Sequence, residues 1–279
     1  MKLSEAIDIL SHAGVDSPRH DAIELFVHFG GFNRTELLRD VEIDNKGLQN
    51  AVARRSNREP LQYIIGEVGF YRETYTVSSD CLIPRSDTEI LVDYAVRHIP
   101  RGEKFLDLCT GSGCVAVSTL KNTEDTSAAA VDISEAAISL AKENAKKNGV
   151  SDRCEFICAD ALSGTVDGEF FAVLSNPPYV SEAEYESLSP EIYFEPKIAF
   201  VGGTLGLDFY GRILDLYRDS LREGGFFAFE IGYNQGDAIM SLSKERNMSC
   251  EILKDYSHND RVAVIAEESR TNKSCDDKF

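Results

Sequence analysis

A chain of 279 residues, 43% hydrophobic and 27% charged, has the length and composition of a globular protein with one large domain and a small one. No apolar run approaches the ~20 residues that span a bilayer, and Met1-Lys-Leu-Ser-Glu-Ala-Ile-Asp8 lacks both a signal-peptide apolar region and an Arg-rich transit character, so a cytoplasmic protein with no membrane partner is expected. With 29 basic against 47 acidic residues the net charge is −18, which opposes a phosphate backbone, and no direct nucleic-acid partner is expected.

Residues 1–75 read as a separate helical unit. Ser4 can cap a helix Glu5–Ala13 whose Ala6, Ile7, Ile9 and Leu10 form an apolar stripe ended by Gly14. Asp16-Ser17-Pro18 starts a second helix through Phe29, with Ile23, Leu25, Phe26 and Val27 inward and Gly30-Gly31 as its stop. Asn33 caps a short helix through Arg39, and Asp44 starts another reaching Arg55. Such a bundle either recognises a partner or is a packing appendage; partner recognition is favoured. Val68–Val77 has the aromatic and β-branched content of a hairpin turning near Arg72-Glu73, a ribbon linking the domains and running to about residue 80. A helix over Ile90–Val96 comes next, capped by Asp87 or Thr88. Arg85, just before it, either faces a carboxylate or stands solvated.

From Lys104 the pattern becomes strand, loop, helix. Phe105–Leu108 is a strand followed by a small-residue turn and a helix; Ala128–Ile133 is the next strand, ending in an acid. Ser134 caps a helix Glu135–Lys147, with acid in its first turn and lysines in its last, as the macrodipole prefers, and Asn148-Gly149 ends it. Cys154–Cys158 and Phe170–Ser175 are strands, Gly206–Arg222 a helix, Phe226–Ile231 a strand and Gln235–Arg246 a helix. Glu251–Asp255 and Arg261–Ala266 close as an antiparallel pair, and the polar tail 267–279 is expected to be disordered. The alternation specifies a doubly wound α/β sheet over residues 81–266, covered on both faces.

Gly111 and Gly113 let the chain turn tightly after a strand and let a ligand approach the backbone, and Asp132, about 20 residues on at the end of the next strand, is placed to bind ribose hydroxyls. The seven cysteines have no framework spacing, and Cys109 and Cys114 lie in this loop, so reduced thiols are expected; the five histidines are scattered and no metal site is expected. A dinucleotide fingerprint wants a third glycine where Val115-Ala116 stands.

At the end of the apolar run Phe170–Ser175 the chain enters Asn176-Pro177-Pro178-Tyr179. Each proline forces an extended conformation on the residue before it and brings no N–H. The Pro177 carbonyl therefore projects from a stiff backbone beside the Asn176 side-chain oxygen. Two fixed acceptors suit a planar –NH2 group, whose flat face Tyr179 could cover. Asn-Pro is also an ordinary turn initiator.

Asp107-x-x-x-Gly111-x-Gly113 resembles the first motif of the S-adenosylmethionine-dependent methyltransferases. With Leu82–Glu89, Val131–Ser134, Asn176–Tyr179, Glu195-Pro196, Gly202-Gly203, Gly206–Asp208, Gly224-Gly225, Glu230–Gly232 and Asp260–Val262 in order, residues 4–266 resemble the bacterial release-factor glutamine methyltransferases, which modify the glutamine of a Gly-Gly-Gln tripeptide in peptide-chain release factors. The resemblance implies a Rossmann-like class I methyltransferase domain behind an N-terminal helical bundle, joined by a β-hairpin. The cofactor would be S-adenosylmethionine and the partner a release factor; a monomer is expected, though the sequence itself does not reveal the oligomeric state. It places the cofactor on Asp107, Cys109, Thr110, Gly111, Ser112 and Gly113, its ribose on Asp132, its adenine beside Asp160 and Ala161, and the transferred methyl by Asn176. Asp160 is otherwise a turn cap. Asn176, Pro177, Pro178 and Tyr179 would take the substrate, the first two by accepting the amide N–H bonds and Tyr179 by packing on the amide plane. Glu195 either closes over the substrate or is a surface acid. Cys109 departs from a usual glycine, Ser86 from a proline and Ala161 from an aromatic. The rival readings are an adenine-N6 nucleic-acid methyltransferase, since that amine offers the same two donors, and a cofactor-binding protein without activity.

Overall fold

The computed structural model describes residues 1–204 and 206–267; the tail expected to be disordered lies outside them from residue 268. The described residues divide into two compact units: 1–68 with 76–83 and 188–196, and 69–75 with 84–187 and the described residues from 197 on.

The smaller unit is built on α1 (Leu3–His12), α2 (Pro18–Gly30), α3 (Lys46–Ser56) and the short α4 (Leu61–Ile65) around buried Leu10, Leu25, Phe26 and Leu48. Gly31 ends α2 in the left-handed region at φ +71°. Helix α1 starts earlier than expected, because Ser4 does not cap it: its hydroxyl donates to Asp40 Oδ2 at 2.9 Å. Asn33 does accept from the amides of Thr35 and Glu36, but the chain then makes a single 3-10 turn, Glu36–Leu38, not a helix to Arg39. Asn45, rather than Asp44, caps α3 by accepting from the Leu48 amide. The segment 188–196 belongs to this unit. Arg55, buried on α3, donates to Asp21 at 2.7 Å and to Glu191 at 3.1 Å, and Arg58 donates to the same Glu191 at 2.7 Å.

The hairpin is β1 (Glu67–Phe70) and β2 (Glu73–Thr76), turning at Tyr71-Arg72, and the division between the units runs through it. The larger unit carries α5 (Glu89–His98), β3 (Lys104–Leu108), α6 (Cys114–Lys121), β4 (Ser127–Asp132), α7 (Glu135–Lys147), β5 (Cys154–Cys158), β6 (Phe170–Ser175), the short α8 (Glu182–Tyr185), α9 (Asp208–Tyr217), β7 (Leu221–Glu230), α10 (Gly236–Glu245), β8 (Met248–Lys254) and β9 (Asp260–Glu267). Its seven-stranded sheet has the order β5-β4-β3-β6-β7-β9-β8, parallel from β5 to β7, with β9 antiparallel to β7 and to β8. Strands β3, β4 and β6 are almost wholly buried, as expected of parallel strands covered on both faces. Alternation along β3 sends Leu106 and Leu108 into a core with Tyr210, Ile213, Phe229 and Ile239, and sends Asp107 toward the start of α6.

Several boundaries in this unit differ from expectation: β8 begins at Met248 rather than Glu251, and α9 at Asp208 rather than Gly206. The helix expected to reach Arg222 ends at Tyr217 and passes through a 3-10 turn, Arg218–Ser220, because Leu221 already pairs with Phe170 as the start of β7. Helix α5 is preceded by a 3-10 turn, Ser86–Thr88; Thr88 stands at its N-cap position, as expected, but makes no side-chain cap hydrogen bond. Thr88 Oγ1 donates instead to Glu230 Oε2 at 2.6 Å, and Asp87 pairs with Arg261 at 3.3 Å.

Candidate active site

Strand β3 pairs with β4 on one side and β6 on the other, so the chain reverses its direction of travel across the sheet between them. Ligands of open α/β sheets bind in the crevice beyond the carboxyl ends of the strands at such a point. Ser175, the last residue of β6, lies opposite Leu108, the last of β3, and its hydroxyl donates to the Leu108 carbonyl at 2.7 Å. Asn176-Pro177 and the glycine loop therefore leave adjacent strands side by side.

The loop is held in a strained but well-anchored form. Cys109 sits at φ +59° despite its β-carbon, followed by Gly111 at +54° and Gly113 at +80°. A β-carbon on Gly113 would lie 3.0 Å from that of Ala141 on α7, so this glycine is also what allows α6 and α7 to approach. Asp107 organises the turn from beneath: one carboxylate oxygen accepts from the Thr110 hydroxyl and, at 3.1 Å, from the Ala116 amide. Among the described residues its other oxygen is buried without a hydrogen-bond partner, as is the Ser112 hydroxyl. Burial pushes the Asp107 carboxyl up to about 7, against the pull of the Thr110 and Ala116 hydrogen bonds. Asp132 accepts from the Gly111 amide at 2.8 Å and from the Ser134 amide at 3.0 Å, so the end of β4 and the loop are tied together.

Asp160 is exposed and caps the turn after β5 by accepting from the Leu162 amide at 2.9 Å; Ala161 is buried in the sheet's core. Glu195 is 5% exposed, which excludes the surface-acid alternative, and it accepts from the Ile83 amide at 2.9 Å within the smaller unit. The structure thus brings Asp107, Cys109, Thr110, Gly111, Ser112, Gly113, Asp132 and Asn176–Tyr179 to one end of the sheet, and gives Glu195 a buried anchoring role. Arg85 is half-buried.

Pro177 and Pro178 are buried, and Asn176 and Tyr179 half-buried. Among the described residues the Pro177 carbonyl accepts no hydrogen bond. Asn176 Nδ2 donates to Thr88 Oγ1 at 3.2 Å; the Tyr179 hydroxyl donates to Glu230 Oε1 at 3.1 Å. Glu230, at the end of β7, is 1% exposed; burial raises its carboxyl, with the Thr88 and Tyr179 hydroxyls and then Arg261 pulling it back. The Tyr179 carbonyl accepts from buried Gln235 at 3.0 Å. Gly202 completes the mount: its amide donates to Val180 at 3.0 Å, and a β-carbon there would stand 2.0 Å from the Pro178 carbonyl oxygen. Reasoning from sequence missed Thr88, Glu230, Gln235 and Gly202 in these roles. Glu230 was visible only as part of the Glu230–Gly232 stretch that contributes to the resemblance, with no role attached, and Gln235 only as the start of a helix.

Among the described residues no group of side chains could hold a metal ion, and no helix is long and apolar enough to cross a membrane. Two family models match the chain, the methyltransferase small domain over residues 86–192 and the PrmC N-terminal domain over residues 2–66. A release factor glutamine methyltransferase of Fusobacterium nucleatum subsp. nucleatum is 36% identical over 273 residues, covering 94% of this chain and 77% of the relative. One from Caulobacter vibrioides is 33% identical over 268 residues, covering 93% of each. A methyltransferase crystal structure from Pyrococcus furiosus, 18% identical, covers 68% of this chain and 86% of its own with a TM-score of 0.52, a likeness of fold.

Proposed function

The chain belongs to the release factor glutamine methyltransferase family, and from that membership we propose that it methylates the side-chain amide nitrogen of the glutamine in the Gly-Gly-Gln motif of peptide-chain release factors, with Asn176 and Pro177 holding the amide. The cofactor of this methyltransferase domain is S-adenosylmethionine, which supplies a methyl group made electrophilic by its bond to a sulfonium. The loop residues fit it. The buried, unpartnered oxygen of Asp107 is one that the ammonium of a bound methionine moiety would satisfy, and Asp132 stands where this architecture binds a ribose. Cys109, Thr110, Gly111, Ser112 and Gly113 would line it, with Asp160 and Ala161 flanking the adenine.

An amide nitrogen is a weak nucleophile because its lone pair is delocalised into the carbonyl. Asn176 Oδ1 and the Pro177 carbonyl, accepting one N–H each, turn the nitrogen so that its lone pair points at the methyl. The same two oxygens favour the positive charge that develops on nitrogen, and they sit on a backbone stiffened by two prolines, so little reorganisation is needed as the charge appears. Tyr179 packs on the amide plane. The methylated amide is cationic and strongly acidic, and its proton passes to water, so no residue need act as a strong base.

The observation that carries this reading is the register of β3 and β6: the ligand loop and the acceptor pair leave neighbouring strands one residue past the Leu108–Ser175 pair. Tandem mass spectrometry of a release factor incubated with the enzyme and S-adenosylmethionine tests it. One added methyl on the glutamine of Gly-Gly-Gln is expected, and none on a release factor in which that glutamine is alanine. Methyl incorporated into DNA instead would favour the exocyclic amine of adenine as the acceptor and overturn the proposal.

A further inference from the structure

A carboxamide is a donor at one end and an acceptor at the other, in nearly the same shape. Only one of the two orientations of Asn176 serves a substrate that itself arrives as a pair of N–H donors; the other points donors at donors. A hydroxyl neighbour does not settle the matter, because Thr88 Oγ1 could equally accept from Nδ2 or donate to Oδ1.

We propose that Glu230 and Thr88 are positioning residues, which together dictate that the oxygen of Asn176 faces the substrate. This rests on the reading of Asn176 as an acceptor for the substrate amide. An ionised carboxylate only accepts, and Glu230 is offered two hydroxyls, Thr88 at 2.6 Å and Tyr179 at 3.1 Å. Thr88 has one proton, and Glu230 takes it. What remains to Thr88 is an acceptor, and Nδ2 of Asn176 at 3.2 Å is its donor. The polarity of the chain thus runs one way, from Asn176 through Thr88 to Glu230, and Oδ1 is left outward. Thr88 and Glu230 are each 1% exposed, so water does not compete to reverse it. Burial raises the Glu230 carboxyl; the two hydroxyls it accepts from, and then Arg261, itself paired with Asp87 and Asp255, oppose that and favour its ionised form. Tyr179, tied to the other oxygen of the same carboxylate, is oriented by the same group, so one buried acid sets two side chains of the Asn-Pro-Pro-Tyr segment.

The test compares Thr88→Val, Thr88→Ser, Glu230→Gln and Asn176→Ala in steady-state methyl transfer to a release factor, with S-adenosylmethionine dissociation measured for each. Thr88→Val keeps the shape and removes the lock; kcat is expected to fall about ten- to hundredfold, with the release-factor KM and the cofactor Kd within about twofold of the parent. Thr88→Ser restores the hydroxyl and should return kcat to within about threefold. Glu230→Gln can donate as well as accept, so the polarity is lost and kcat falls with the same pattern. Parent-like kcat in Thr88→Val, or a loss that Thr88→Ser does not recover, overturns the inference while leaving Asn176 as the acceptor, provided Asn176→Ala is inactive. An active Asn176→Ala removes the reading beneath it.

Discussion

At the scale of single residues, the site is a set of oxygens whose partners have been decided in advance. Asp132 already holds the Gly111 and Ser134 amides, so its ribose contact would be made in ground and transition states alike. Asp132→Ala should raise the S-adenosylmethionine Kd by about tenfold or more, read by calorimetric titration; an unchanged titration would take Asp132 out of the site. Asp107 has a pH signature. Its carboxyl, lifted to about 7 by burial, binds a proton more tightly folded than unfolded. Its contribution to stability is therefore fullest at acid pH and declines as the pH rises from about 4 to about 7. Asp107→Asn abolishes that decline. Urea unfolding without cofactor should show the variant gaining on the parent as the pH rises through this range, whereas a constant difference would mean that Asp107 does not titrate there. The end of β6 just before Asn176 was legible because proline constrains its neighbours locally. Thr88 does stand at the N-cap position expected of it, but its hydroxyl makes no cap hydrogen bond and is committed elsewhere. Its actual partner, Glu230, is 142 residues away, and local pattern carries no information about it.

At the scale of elements, what could be read was whatever local chemistry determines. Helix α7 begins and ends where Ser134, the terminal charges and Gly149 say it should, and β5 and β6 have the expected bounds. Where tertiary pairing decides, as at Leu221 opposite Phe170, the expected helix gives way to a strand. The Asn-Pro-Pro-Tyr segment is similarly dependent on a distant support. Gly202 lies so close beneath Pro178 that any β-carbon must displace the backbone carrying the two proposed acceptors. Gly202→Ala is expected to lower kcat by at least about tenfold while cofactor affinity stays near the parent's, because the glycine loop is untouched. Equal activity would show that the segment tolerates a shift of its backbone.

Across the whole molecule, two units have separate cores, one around Leu25 and Phe26 and the other around the sheet. The helical unit and the α/β unit were foreseeable from periodicity, but the assignment of residues 188–196 to the helical unit was not. That segment joins α2 and α3 through Glu191 and the two arginines, and nothing in chain order announces such a return. Arg55→Met would leave Asp21, 6% exposed, as a buried charge without its cation. The expected loss is about 3–5 kcal/mol, confined to the helical unit. Hydrogen exchange should show faster amides in α2 and α3 with those of β3 and β6 unchanged; uniform acceleration would mean the units unfold as one.

The most direct measurement is a rapid-quench single turnover of Asn176→Ala against the parent, with release factor and S-adenosylmethionine both saturating and cofactor affinity measured in parallel. If Asn176 and Pro177 together hold the amide, transfer slows at least about a hundredfold while the cofactor Kd stays within a few-fold. A variant that transfers methyl at the parent's rate would show that the amide is oriented by something else.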